Sequence, residues 1–306
     1  MNRREFLKFQ VMGILWMVAG GSGLLLPKEL VAESVPDIAV AKGAAAAATR
    51  AAVELLGGMK QFVKPGNRVI IKPNMSFPTP PERASNTHPE VVRELAVMCK
   101  EAGASKTLVL DNTLSSKELC LKRSGIREAC KAIDNKMVFA LSDDSLYKTK
   151  EIPKHKSMRK TEIMKEVLKS DVLIAAPVAK SHSSTGVSLS MKGMMGLIYN
   201  RGVMHRRYDL HTSIVDLCTL LKADLAVIDG TRVLSTNGPH GPGKVLHENT
   251  VIASKDMVAA DAYAVSIFEW YGKKFKPRQV RHIQEAHERG LGRMDIENLK
   301  VKSIAL

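Results

Sequence analysis

The sequence predicts an α/β protein, a single domain with a largely parallel central sheet flanked by helices. Short β-branched runs alternate with longer stretches of helical period along the chain. Turn-forming clusters such as Lys64-Pro65-Gly66-Asn67 punctuate that alternation. Ionisable residues recur where the apolar runs end, which is where open parallel sheets gather their ligands.

In chain order, a strand is expected at 38–41 (Ile-Ala-Val-Ala), followed by an alanine-rich helix at 45–56. The turn at Pro65-Gly66 leads into a strand at 68–72, a helix at 89–102 and a strand at 107–111. A helix at 126–133 precedes a strand at 137–141, and a further helix is expected at 163–169. Residues 172–178 form a continuous apolar strand, 212–221 a helix, and 224–229 and 250–254 two more strands. Asp256 is placed to cap a helix over 257–271, and a last helical period covers 278–289.

The N-terminus carries an address. Asn2-Arg3-Arg4-Glu5-Phe6-Leu7-Lys8 precedes a glycine-broken apolar segment from Val11 to Leu26, the pattern of a twin-arginine signal read by the folded-protein export machinery. That segment is too short and glycine-rich for a comfortable membrane span, and no later run approaches one. Cleavage after Ala32 divides the chain into a signal over 1–32 and an α/β domain over 33–306. The expected location is periplasmic or otherwise outside the cytoplasm, with N-terminal anchoring if the signal stays uncleaved.

Removing residues 1–32 lowers the formal charge from +15 to about +13, so the mature domain is strongly basic. Much of the excess lies between Lys148 and Lys169, where lysines interleave with Glu151, Glu162 and Glu166 as on a solvated face. With aromatics at 5% of residues and no recognition motif, the composition argues against nucleic acid, while the positive excess suits anionic substrates, acidic partners or an anionic membrane surface alike. Cys99, Cys120, Cys130 and Cys218 lack the spacing of a zinc site or iron–sulfur cluster and read as core thiols.

Candidate site residues follow from the strand ends. Lys72-Pro73-Asn74, Asp111-Asn112, Lys180-Ser181-His182 and Asp229-Gly230 each close an apolar run, and Asp256 lies just past the last one. A lone Asp at a strand end serves equally as turn former or helix cap, which is the competing reading of Asp111 and Asp256. Lys72 and Lys180 are different, because an ammonium directly after an apolar run needs an anion, a carboxylate or water. From Lys180 to Gly196, hydroxyls, glycines and a second lysine, Lys192, form the densest constellation, suited to cradling an oxyanion.

These residues resemble a family, the domain of unknown function numbered 362. The resemblance runs through Ile70-Ile71-Lys72-Pro73-Asn74, Lys180-Ser181-His182, Thr185-Gly186-Val187 with Lys192 and Gly196, Asp229-Gly230, and Ser254-Lys255-Asp256 with Asp261. Gly193 departs from it, standing where members typically carry Asn. Many relatives have an added ferredoxin-like domain with Cys-rich cluster motifs, which this chain lacks, so no iron–sulfur cluster carries over.

The resemblance implies a shared site but no reaction. The side chains suggest substrate binding by Lys72, Asn74, Lys180 and Lys192, with proton transfer by His182, Asp229 or Asp256. His205, His211 and Asp261 are the candidate ligands of a divalent metal, a mixed imidazole and carboxylate set. The expected function is binding or transformation of an anionic small molecule in a Lys/His/Asp-lined crevice. The competing class is a non-catalytic ligand-binding or redox-accessory protein outside the cytoplasm.

Overall fold

Side chains alternate between two helical layers along the strands of one large sheet, as a computed structural model of residues 35–306 shows. The twin-arginine motif and the cleavage position at Ala32 lie outside the described residues. The first seven strands are β1 (Ile38–Lys42), β2 (Arg68–Pro73), β3 (Lys106–Asp111), β4 (Val138–Ala140), β5 (Tyr147–Glu151), β6 (Lys160–Met164) and β7 (Val172–Ala176). They are followed by β8 (Val178–His182), β9 (Gly186–Ser188), β10 (Leu225–Leu234), β11 (Val245–Leu246) and β12 (Thr250–Ser254). Three short pieces complete the set: β13 (Glu269–Trp270), β14 (Lys273–Lys274) and β15 (Val301–Ala305).

Eight strands run side by side in the order β15-β1-β12-β10-β7-β2-β3-β4, with β8 and β11 paired to β10 and β9 paired to β8. From β10 to β4 every neighbouring pair is parallel. β12 is antiparallel to both of its neighbours, β1 and β10, and so points against the rest of the row. The sheet is therefore largely parallel, with one reversed strand whose carboxyl end lies at the opposite edge.

Ile38, Val40, Ile70, Leu108 and Ile228 face a layer containing the helices Leu210–Leu220, Met257–Ile267 and Arg281–Glu288. Ala39, Ala41, Val69, Ile71, Val109 and Val227 face the helices Ala45–Leu55 and Pro89–Glu101. Burial of each Ile or Leu contributes roughly 1.5–3 kcal/mol, enough for the two layers to hold charged residues at the strand ends. Among the described residues no helix is long and apolar enough to cross a membrane.

Several local expectations are corrected. The expected helix at 163–169 is instead the end of β6 plus a 3-10 turn at Val167–Lys169, and the lysine-rich segment folds as the β5–β6 hairpin. Alternating Thr161, Ile163 and outward-facing charges carry a strand period that the short apolar Ile163-Met164 pair concealed. The run 172–178 breaks at Pro177 into β7 and β8, as a residue without a backbone N–H favours. The helix beginning at Met257 ends at Ile267, and Trp270 belongs to β13.

Candidate functional site

The carboxyl ends of β2 and β3 meet the β8–β9 hairpin around a cavity of about 160 Å³. Lys72, Asn74, Lys180, His182 and Lys192 all line it, although up to 120 residues separate them in sequence. Asp111, Arg201, His205, Ser76 and Phe77 complete much of the wall. Strand-end convergence is the reason distant segments meet here.

Lys72 and Asp111 form a fully buried ion pair, Nζ to Oδ1 3.2 Å. The Lys72 ammonium also donates to the Pro73 carbonyl. Asp111 Oδ2 accepts the Met75 N–H at 3.0 Å and the Ser76 hydroxyl at 2.8 Å, tying the chain after β2 to the end of β3. Burial lowers the Lys72 pKa, and the Asp111 carboxylate opposes that shift. Asn74 is a brace at the cavity edge, its side-chain oxygen accepting the Val178 N–H at 3.0 Å.

Lys180 and His182 alternate along β8 and so share a face, with Lys180 paired to Ser188 across the hairpin. The hairpin turns through Ser183-Ser184-Thr185 into Gly186, whose φ of +75° favours glycine. Lys180 Nζ donates to the Ser85 carbonyl at 2.6 Å and lies 5.2 Å from the centre of the Phe77 ring. Lys192 stands on the one-turn helix Ser190–Gly193. That turn is held in place by Asp261, whose carboxylate accepts the Ser190 and Met191 N–H groups at 2.8 and 2.9 Å. Burial lowers both Lys180 and Lys192 to about 7, with Lys192 adding to the shift of Lys180 and Arg201 to both.

Arg201 adds a fourth cation, its guanidinium donating to the Asn112 carbonyl. Four cationic side chains thus face one carboxylate, that of Asp111, around the cavity. His182 Nδ1 accepts the Ser184 N–H at 3.1 Å, so its neutral ring carries the proton on Nε2. Burial, then the charge of Lys192, drives His182 to about 2 and keeps it neutral. It offers the cavity a hydrogen-bond donor. The His205 ring lies 6.1 Å from that of His182, and its pKa is lowered by burial and by Lys192.

The other expected residues lie elsewhere, for reasons of direction and period. Asp229 shares a strand face with Val227, turned to the layer opposite Ile70 and Lys72. There it accepts the His88 N–H at 2.7 Å, at the start of the helix Pro89–Glu101, and the Thr231 hydroxyl at 2.6 Å. Asp256 follows the reversed strand β12 and therefore sits at the far sheet edge, capping Val258 and Ala259 and accepting the Arg293 N–H. The expectation that these aspartates line the crevice took the strands before them to run with the parallel majority of the sheet and did not weigh which face each residue takes.

His205, His211 and Asp261 are not brought together. His211 pairs with His282, Nδ1 to Nδ1 3.3 Å, and Asp261 is occupied by its two backbone amides. Among the described residues no group of three His, Cys, Asp or Glu is arranged to hold a metal ion. The four cysteines are free and buried, and burial raises Cys99 and Cys130 to about 12.

Arg201 was missed because it lies in a connecting segment, Tyr199-Asn200-Arg201-Gly202, with no strand-end signal. Asp111 carried that signal, which its reading as a turn former discounted.

Residues 69–266, most of the sheet and every lysine of the cavity, match the family described as Domain of unknown function (DUF362). The chain belongs to the DUF362 family. A thylakoid-associated protein of Synechocystis sp. is 27% identical to this DUF362 chain over 243 residues, covering 74% of the chain and 71% of the relative. Among solved structures, the lactate racemase apoprotein of Thermoanaerobacterium thermosaccharolyticum aligns with a TM-score of 0.48 at 15% identity. That alignment covers 74% of the DUF362 chain and 56% of the racemase chain.

Proposed function

We propose that the cavity binds a small molecule through a carboxylate or phosphate group, and that the protein does so outside the cytoplasm. The observation carrying this is the set of four cationic side chains, the buried Lys72, Lys180 and Lys192 and the half-buried Arg201, around a single lining carboxylate. Only one of those charges is matched by Asp111. An oxyanion entering the cavity satisfies the others and relieves their mutual repulsion. Because Asp229, Asp256 and Asp261 are engaged elsewhere, binding is the core of the proposal, with His182 as a neutral donor to the ligand.

The linkage to stability has a definite sign. Lys180 has a folded-state pKa near 7 against 10.5 in its ordinary state, so the unfolded chain holds the proton more strongly across that window. Its contribution to stability therefore rises as pH climbs from about 7 to about 10.5, and the cost of its charge is fully present below that range. Anion binding offsets this cost.

Calorimetric titration with phosphate, oxalate and malonate tests the reading. A saturable site is expected for at least one of them. Lys180→Met and Lys192→Met should each weaken it by roughly ten- to a hundredfold, the loss of one charge-assisted hydrogen bond. Parental affinity in both variants, or no binding by any of the three anions, contradicts the proposal.

The extracytoplasmic part rests on Arg3-Arg4 and the apolar segment that follows. Changing both arginines to Lys should leave folded protein in the cytoplasm when cell fractions are compared by immunoblot. Undiminished export of that variant would rule out the twin-arginine route.

A further inference from the structure

The three lysines of the cavity are not equivalent. Lys72 has a carboxylate partner in Asp111. Lys180 has a carbonyl acceptor at 2.6 Å and the face of Phe77, both of which favour an ammonium. Lys192 has a Met195 thioether, Nζ to Sδ 3.8 Å, a weak acceptor for a group that is only 9% exposed. An ammonium held by a thioether beside other cations is poorly stabilised, whereas a neutral amine tolerates the same surroundings.

We propose that Lys192 is a nucleophilic amine that condenses with the carbonyl of a small oxo-acid whose carboxylate is held by Lys180. The inference rests on the anion-binding reading of the same cavity and assigns it a reaction class. Burial lowers Lys192 and Lys180 alike to about 7, so both amines are partly unprotonated at neutral pH, and it is the contacts that separate them. An anion restores the ammonium of Lys180 against its carbonyl and ring, while Lys192 has only the thioether. Space is available beside the amine: Gly193 lines the cavity, and a methyl group there would meet nothing nearer than Pro177 at 4.0 Å.

The step balances without an oxidant or reductant. The Nζ lone pair forms a C–N bond to the carbonyl carbon while the π pair moves to oxygen, and one Nζ proton passes to that oxygen. The resulting hydroxyl takes one further proton from solvent and leaves as water. A protonated imine remains, joined to Lys192. His182 Nε2–H is the donor available to the developing oxygen, as the neutral tautomer requires.

Trapping tests this directly. The protein is incubated with glyoxylate and cyanoborohydride, digested, and mapped by mass spectrometry for carboxymethylated lysine. Lys192 should be labelled at least tenfold faster than the exposed lysines, oxalate should protect it, and Lys180→Met should slow its labelling about tenfold or more. Peptide mapping of the unmutated protein reads the site even if Lys192→Met folds poorly. Labelling of Lys192 no faster than that of exposed lysines overturns the inference. If glyoxylate binding in the absence of reductant persists and weakens in Lys180→Met, anion binding stands and only the amine chemistry fails. If glyoxylate, phosphate, oxalate and malonate all fail to bind, both fail.

Discussion

Replacing Asp111 with Ala should destabilise the protein by about 3–5 kcal/mol, the loss expected when one partner of a buried ion pair is removed and the other stays charged. Lys72 is 2% exposed and Asp111 fully buried, so water does not take over the lost interaction. The Met75 amide and Ser76 hydroxyl lose their acceptor in the same change. Urea denaturation followed by the fluorescence of buried Trp270 measures the effect. Adding Lys72→Met to Asp111→Ala should recover part of the loss, because the uncompensated ammonium is then gone. A cost below about 1 kcal/mol for Asp111→Ala would show that the pair does not hold the ends of β2 and β3 together.

Gly196→Ala should be comparably severe and should also remove anion binding. A Cβ at that position would stand 2.2 Å from Asp111 Oδ1 and 2.4 Å from Lys72 Cε, so the ion pair could not keep its geometry. The backbone cannot simply withdraw, since the Gly196 carbonyl accepts the Asn112 N–H at 2.8 Å. Gly193→Ala, three residues earlier, is the control. Its added methyl meets only Pro177 at 4.0 Å, and stability should change by less than about 1 kcal/mol. Thermal melts of the two variants distinguish them, and equal stability would remove the case for a close contact at Gly196.

What could be read before the structure was the chemistry of strand ends. Lys72 with Asn74, and Lys180 with His182, share one cavity because polar residues that follow an apolar run in a parallel sheet gather at its carboxyl edge, and Lys192 joins them from the one-turn helix after the β8–β9 hairpin. Asp256 and Asp229 show the limits of that rule. Strand direction depends on pairing, and β12 pairs antiparallel with β1 and β10, partners more than a dozen residues away in sequence. The face a residue takes depends on register, which places Asp229 with Val227. Asp261 is a third case: it serves the site by capping the turn that carries Lys192, a tertiary contact across about 70 residues with no local pattern. The β8–β9 hairpin was not expected, because the hydroxyl- and glycine-rich segment read as an oxyanion-cradling loop, although a short Ser/Thr turn ending in Gly186 is itself a hairpin signal.

The central claim, that buried lysines of lowered pKa hold an anion, is tested most directly by proton linkage. At pH 8 much of the Lys180 population in the free protein is uncharged, and a bound oxyanion restores the ammonium, so binding should draw protons from the buffer. Calorimetry of oxalate binding at pH 8 in phosphate-free buffers of different ionisation enthalpy measures this uptake. The account predicts net uptake of a substantial fraction of a proton per anion, falling toward zero below about pH 6 and sharply reduced in Lys180→Met. Binding of undiminished strength with no proton uptake at pH 8 would contradict it.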